Sequence, residues 1–211
     1  GQDGSSKGIY GQRYDSLGNQ TTLSGHFIEP GADLHEASLV SIDLTGADLT
    51  GANLTGADLT GTDLTGATLT GVTLTGVISG SITGTPSAVD SGVILQNGYL
   101  IGPGANLTAA DLTGADLTGA NLTSATLTGA TLTGVISGSI TGTPSALDSG
   151  VILQNGYLIG PGANLTAADL TGADLTGADL TSADLTGAAL TGATLTGVIS
   201  GSITGTPSAV D

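Results

Sequence analysis

Side chains able to do acid–base or metal chemistry are few in this chain, and their spacing is poor. The only histidines are His26 and His35. His35 is followed by Glu36, but a zinc-protease helix needs a second His four residues after the first, and that place holds Leu39. Solvated surface residues are the expectation for both. Cysteine is absent, which removes thiolate ligands and disulfides without fixing a compartment. The glycines form no G-x-G-x-x-G and there is no P-loop lysine. Gly80-Ser81-Ile82-Thr83-Gly84 places serine one position too early for a nucleophile elbow. No catalytic, cofactor-binding or metal-ligating residue is assigned on this basis, no cofactor is expected, and the chain reads as a non-enzyme.

Three recurring patterns carry weaker signals. Asn-Leu-Thr, beginning at Asn53, Asn106, Asn121 and Asn164, matches the N-glycosylation acceptor. Asn alternates there with Asp in otherwise identical phrases, so repetition accounts for the match better than modification does. Rows of Asp offer the hard oxygen ligands that calcium prefers, yet the Asp-rich nonapeptide of calcium-binding β-rolls is absent. Thr-Leu-Thr at 68–70, 73–75, 126–128, 131–133 and 194–196 would aim paired hydroxyls outward. Ice-binding solenoids use such pairs stacked in one flat array. Neighbouring copies here lie five residues apart along the chain, on successive units rather than in one stacked array, which argues against that use.

The elements that would hold these residues come from one repeated phrase. Leu recurs every five residues from 34 to 74, from 107 to 132 and from 165 to 195, in 22 units. In Ala47-Asp48-Leu49-Thr50-Gly51, apolar and polar residues alternate, so an extended chain puts Ala and Leu on one side and Asp and Thr on the other. Gly supplies a bend. A helix would rotate successive Leu by about 140° and scatter them around its axis, and Gly in every unit would cost it about 1 kcal/mol each. A five-residue strand cannot form a core alone. One buried Leu contributes about 1.5–3 kcal/mol against about 1–2 kcal/mol of backbone entropy for each residue ordered. Coils must therefore stack, turning Leu into an internal column and letting amides pair between coils about 4.8 Å apart.

These units resemble the pentapeptide repeat family, whose pattern A(D/N)LXX reads here as Ala-Asp/Asn-Leu-Thr-Gly, over about 110 residues in 22 units. The resemblance implies an all-β fold: a right-handed four-sided (quadrilateral) parallel β-helix with a solid interior. Charge spacing agrees with four units per coil. At twenty residues per coil Asp48 meets Thr68, Asp111 meets Thr131 and Asp174 meets Thr194, while only Asp43 meets another Asp, Asp63. At fifteen, four like-charged pairs would stack, which is destabilising.

A second phrase interrupts the array. Residues 76–107 recur at 134–165 with Val89 changed to Leu147, and the start reappears at 197–211. Such near-identity suggests recent duplication or an engineered array. Residues 25–34 are a degenerate copy of 98–107. Residues 93–101 and 151–159 are apolar runs joined by Asn-Gly, a strong hairpin signal. The expected division is an N-terminal cap or entry segment (1–30), block 1 (31–76), a hairpin insert (77–103), block 2 (104–134), a hairpin insert (135–161), block 3 (162–197) and the truncated start of a further insert (198–211). The hairpins either cover the solenoid or serve as binding loops. Packed Gln96, Tyr99, Gln154 and Tyr157 would favour the first, and their joint exposure the second.

Composition narrows function. A net charge of -16, with Lys7 and Arg13 the only basic residues, repels phosphate, so no direct nucleic-acid partner is expected. No apolar run reaches the roughly 18–20 residues that span a bilayer, and no membrane insertion is expected. With neither initiator Met nor signal-peptide pattern, the ends are expected to be processed or cut. The resemblance suggests a bacterial source, and charge and repeat length an exported or surface location. The leading expectation is a structural repeat scaffold from a longer array, with a protein partner or self-association through solenoid ends or hairpins. The alternatives are a protein- or glycan-binding module that uses the hairpins, and an acidic DNA mimic acting on DNA gyrase, as some members of the family do. Those members resemble uninterrupted rods with many central Phe and a dimer-forming end, whereas Leu is central here.

Overall fold

The computed structural model describes residues 13–14, 20–21 and 28–209, which form two compact units divided between Asp90 and Ser91. Among the described residues there is no helix; the named strands are short, and most pairing is through isolated parallel bridges. Strands β1 (Arg13–Tyr14) and β2 (Gln20–Thr21) pair antiparallel. His26, Phe27 and most of the expected entry segment lie outside the described residues.

In the first unit the bridges join residues twenty apart: Asp33 to Asn53 to Thr73, Ser38 to Asp58 to Ile78, Asp43 to Asp63 to Thr83, and Asp48 to Thr68. Strands β3 (Thr68–Leu69) and β4 (Ala88–Val89) continue the last series in parallel. Each coil therefore takes four five-residue units. One unit contributes three bonds to the ladder. Leu44 N donates to Asp63 O at 2.8 Å, Gly46 N to Thr65 O at 2.7 Å, and Asp63 N to Ile42 O at 3.0 Å. The corner between units is a four-residue turn closed by Ala47 N donating to Leu44 O at 2.9 Å. Its third residue, Gly46, has φ +65°, the left-handed conformation that a type II turn demands. Central leucines from Leu34 to Leu74 are buried, with Ala or Val beside them. Thr62 replaces Ala on this inner side and is also buried, its hydroxyl donating to Leu39 O at 3.0 Å.

The second unit repeats the scheme with one change of step. Asn106 pairs with Thr126 and Thr126 with Ala146, Asp116 with Ile136, and Asn164 with Asp184, each across twenty residues, but Ile136 pairs with Asn164 across twenty-eight. That longer coil contains strands β7 (Ile152–Gln154) and β8 (Tyr157–Ile159), paired antiparallel with Leu153 opposite Leu158. Strands β5 (Ile94–Gln96) and β6 (Tyr99–Ile101) form the equivalent pair near the start of the unit. Asn97-Gly98 and Asn155-Gly156 make the turns, all four residues at φ between +50° and +78° as a type I′ turn requires. Asp148 enters the ladder with its side chain. Gly129 N donates to Asp148 Oδ1 and Oδ2 at 3.0 and 2.9 Å, whereas the corner residue one coil earlier, Ala109, donates its N–H to a backbone carbonyl, Thr128 O.

Candidate functional site

The outward acidic positions serve the backbone first. Asp48 Oδ1 accepts the amide of Thr50 at 3.0 Å and its hydroxyl at 2.6 Å. Asn121 Oδ1 accepts the same pair from Thr123 at 3.0 and 2.7 Å. An amide oxygen does this as well as a carboxylate oxygen, which is why Asn and Asp alternate. Asn53, Asn106 and Asn164 likewise accept from Thr55, Thr108 and Thr166. In Asp48, Asp111, Asp116, Asp169, Asp174, Asp179 and Asp184 the hydroxyl of the Thr two residues on, and then its amide, hold the carboxyl below its ordinary pKa. The function of these carboxylates in local turns was not anticipated from composition; the signal was the Thr that follows each of them two residues later.

Other residues weighed for chemistry are dispersed. His35 is exposed, its Nε2 3.6 Å from Glu36 Oε1. Ser81 is exposed and in the left-handed region at φ +53°. Thr68 and Thr73 sit over Asp48 and Asn53, and Thr126, Thr131 and Thr194 over Asn106, Asp111 and Asp174, so no Thr-Leu-Thr copy stacks on another in these bridges. Among the described residues no three His, Asp or Glu side chains converge as metal ligands, and no helix is long and apolar enough to cross a membrane.

The most distinctive local structure is the β7–β8 pair, which lies as a layer between two cores. One core cluster runs from Ile101 to Val135, joined by Ile140, and takes in Leu158; the other runs from Ile159 to Leu190. Val151 and Leu153 pack against the first cluster, Ile152 and Tyr157 against the second. Successive residues thus serve opposite cores with the period of two that a strand imposes. Covering both faces explains the continuous apolar runs, as in buried parallel sheets. Leu158 and Ile159 are 2% and 0% exposed.

Polar atoms fasten the same layer. Leu158 N donates to Ser137 Oγ at 3.0 Å and Ile140 N to Gly156 O at 3.1 Å on one side. On the other, Asp169 N donates to Tyr157 Oη at 3.3 Å, and Asn155 Nδ2 lies 3.4 and 3.3 Å from Asp169 O and Thr171 O. Gln154 Nε2 donates to Asp174 O at 3.3 Å. The first pair repeats this fastening: Asn97 Nδ2 reaches Thr113 O at 2.9 Å and Asp111 N donates to Tyr99 Oη at 3.1 Å. Gln96, Tyr99, Gln154 and Tyr157 are all half-buried. An open groove of about 450 Å³ borders the second pair, lined by Ile140, Thr143, Pro144, Leu147, Ile152 and Leu153 among others.

Comparison with known proteins follows the repeats. The family model described as pentapeptide repeats matches in eight copies over residues 31–66, 42–78, 104–136 and 162–197. Comparison with curated proteins gives no match. Among solved structures, the chain is similar to the pentapeptide repeat protein Rfr23 of the cyanobacterium Cyanothece 51142 at 18% identity, covering 81% of this chain and 60% of that one, with a TM-score of 0.19. It is similar to HetL of Nostoc sp. strain PCC 7120, described as involved in heterocyst differentiation regulation, at 34% identity, covering 82% and 70%, with a TM-score of 0.22. QnrB1, a plasmid-mediated fluoroquinolone resistance protein, matches at 18% identity over 79% and 90%, with a TM-score of 0.25.

Proposed function

We propose, from the premise that this chain belongs to the pentapeptide repeat family, that it is a non-catalytic structural scaffold whose repeat blocks are spliced by strand-pair inserts. Its winding is a right-handed four-sided parallel β-helix, and residues 77–103 and 135–161 are the inserts that separate blocks 31–76, 104–134 and 162–197. The observation that carries this reading is the division of Leu158 and Ile159 between two core clusters. A recognition loop keeps its contact residues free, whereas this one commits its apolar side chains to both neighbours and its tip to backbone carbonyls. The acidic surface suits a body that stays apart from phosphate polymers.

The test is a gyrase supercoiling assay with the purified chain titrated against the enzyme. Unchanged supercoiling at equimolar and excess protein is expected, and inhibition would replace the scaffold with an acidic DNA mimic. A second reading, a module that binds an apolar protein segment, is favoured by the groove at Ile140, Leu147 and Leu153. Substituting Leu147 with Asp would abolish such binding while leaving the scaffold folded, since Leu147 is only partly buried.

A further inference from the structure

Seven asparagines occur in the chain, and two of them, Asn97 and Asn155, are followed by glycine. Both are exposed at the tip of a strand pair. Glycine has no Cβ to shield its nitrogen, so the Gly156 amide nitrogen can attack Asn155 Cγ. A new C–N bond closes a succinimide ring, the Cγ–Nδ2 bond breaks, and the amide leaves as ammonia with the proton from the glycine N–H. Water then opens the ring at either carbonyl, giving Asp or isoaspartate. No oxidant, metal or cofactor enters the balance.

The leaving nitrogen is one of those that fasten the layer. Backbone conformation does not distinguish the two sites: φ is +50° and +51° at the asparagines and +78° at both glycines. Each asparagine nitrogen lies 3.4 Å from an aspartate carbonyl, Asp111 O or Asp169 O, and the difference is in the second contact. Asn97 Nδ2 is 2.9 Å from Thr113 O, while its counterpart Asn155 Nδ2 is 3.3 Å from Thr171 O. The tyrosine bonds follow suit, at 3.1 Å for Tyr99 and 3.3 Å for Tyr157. We propose that Asn97-Gly98 and Asn155-Gly156 are sites of spontaneous deamidation, that Asn155 reacts first, and that the reaction loosens the hold of the strand pair's tip on the block that follows it. The carboxylate product has no proton to donate and faces two carbonyl oxygens, Asp169 O and Thr171 O. Isoaspartate adds a main-chain carbon to a two-residue turn and disturbs the pairing of Gln154 with Tyr157. The chemistry stands apart from the scaffold reading; only the meaning of a loosened joint rests on it.

The experiment is ageing of the full chain at mildly alkaline pH, followed by mass spectrometry. Residues 91–111 and 149–169 are identical, so the intact chain must be fragmented in the instrument to separate the sites. Amide-to-acid conversion at Asn155 is expected about twofold or more faster than at Asn97, the effect of weakening one hydrogen bond by part of its net worth. The five other asparagines should remain amides. No conversion at either site while a synthetic VILQNGYLI peptide converts would overturn the proposal, and so would equal rates at both. Independently, Asn155→Asp should speed hydrogen exchange at 152–159 and leave 94–101 unchanged, since Asp tolerates the left-handed conformation. Unchanged exchange at 152–159 would refute the loosening.

Discussion

Truncating Leu158 and Ile159 separately tests whether β8 is shared between two cores. Both side chains are essentially without solvent exposure and adjacent in sequence, yet they sit in different clusters. Leu158→Ala deletes three buried carbons from the cluster containing Leu132 and Ile140, and Ile159→Ala deletes as many from the cluster containing Leu165 and Leu170. Each should cost about 2–5 kcal/mol, the transfer term plus the cavity the surroundings cannot refill. Leu153, only partly buried against the first cluster, should cost about half as much. Repeat arrays lose cooperativity along their length, so a single unfolding midpoint would blur the result. Residue-resolved hydrogen exchange under mild denaturant resolves it: Leu158→Ala should lower protection mainly within 105–135, and Ile159→Ala mainly within 163–190. Losses of less than about 0.5 kcal/mol for both, or the same region weakened by each, would refute the layered packing.

Corner chemistry and pH supply the other tests. Gly114 has φ +67° and open space where a Cβ would go, so Gly114→Ala should cost about 1–2 kcal/mol for conformation alone, and Ala109→Gly, at φ +57°, should return a similar amount; thermal unfolding measures both. Gly142→Ala should be far worse in the same assay, because its Cβ would fall 2.5 Å from Thr123 N and onto the Thr123 hydroxyl. For Asp174, whose carboxyl is held below its ordinary pKa by Thr176, the stabilising contribution is complete above the unfolded value of 3.8 and lost as pH falls through the lower folded value. Urea unfolding from neutral to acid pH should therefore show less acid loss in Asp174→Asn, which keeps an acceptor that does not titrate, while Asp174→Ala should be weaker than wild type at neutral pH.

Much of this architecture was legible because it repeats. The five-residue spacing of Leu34 to Leu74 put Leu inside and Asp outside, and the pairing of Asp48 with Thr68 was foreshadowed by the sparing of like charges at a separation of twenty. The corner residues were legible where they are Gly. They were hidden at Glu36, Ser41, Ala109, Ser124, Ala167 and Ser182, which adopt φ between +53° and +62° against their own preference. There the ladder bond from each corner amide to the coil that follows, as from Ala109 N to Thr128 O, holds the conformation, a tertiary effect that local propensity does not report. Whether β7 and β8 cover the solenoid or serve as a loop was left open, and the unbroken apolar runs Val151-Ile152-Leu153 and Tyr157-Leu158-Ile159 were the signal for burial on both faces. The longer coil had its own signal, the separation of 58 between Pro86 and Pro144, which is not a multiple of five, just as the coil from Ile136 to Asn164 takes twenty-eight residues. The acidic positions held a further local signal. Ligand chemistry was weighed for the Asp rows, when at Asp48, Asp174 and Asp184 the Thr two residues on had already claimed an oxygen.

Native-state hydrogen exchange of the unmodified chain at Leu158 and Ile159 tests the central claim most directly. If the strand pair is an internal layer of a scaffold, these amides exchange as slowly as ladder amides such as Leu165 and Asp184, which donate to Asp184 O and Ala163 O. Exchange at the rate of an exposed loop, with the ladder still protected, would mean that the pair projects freely and would contradict the account.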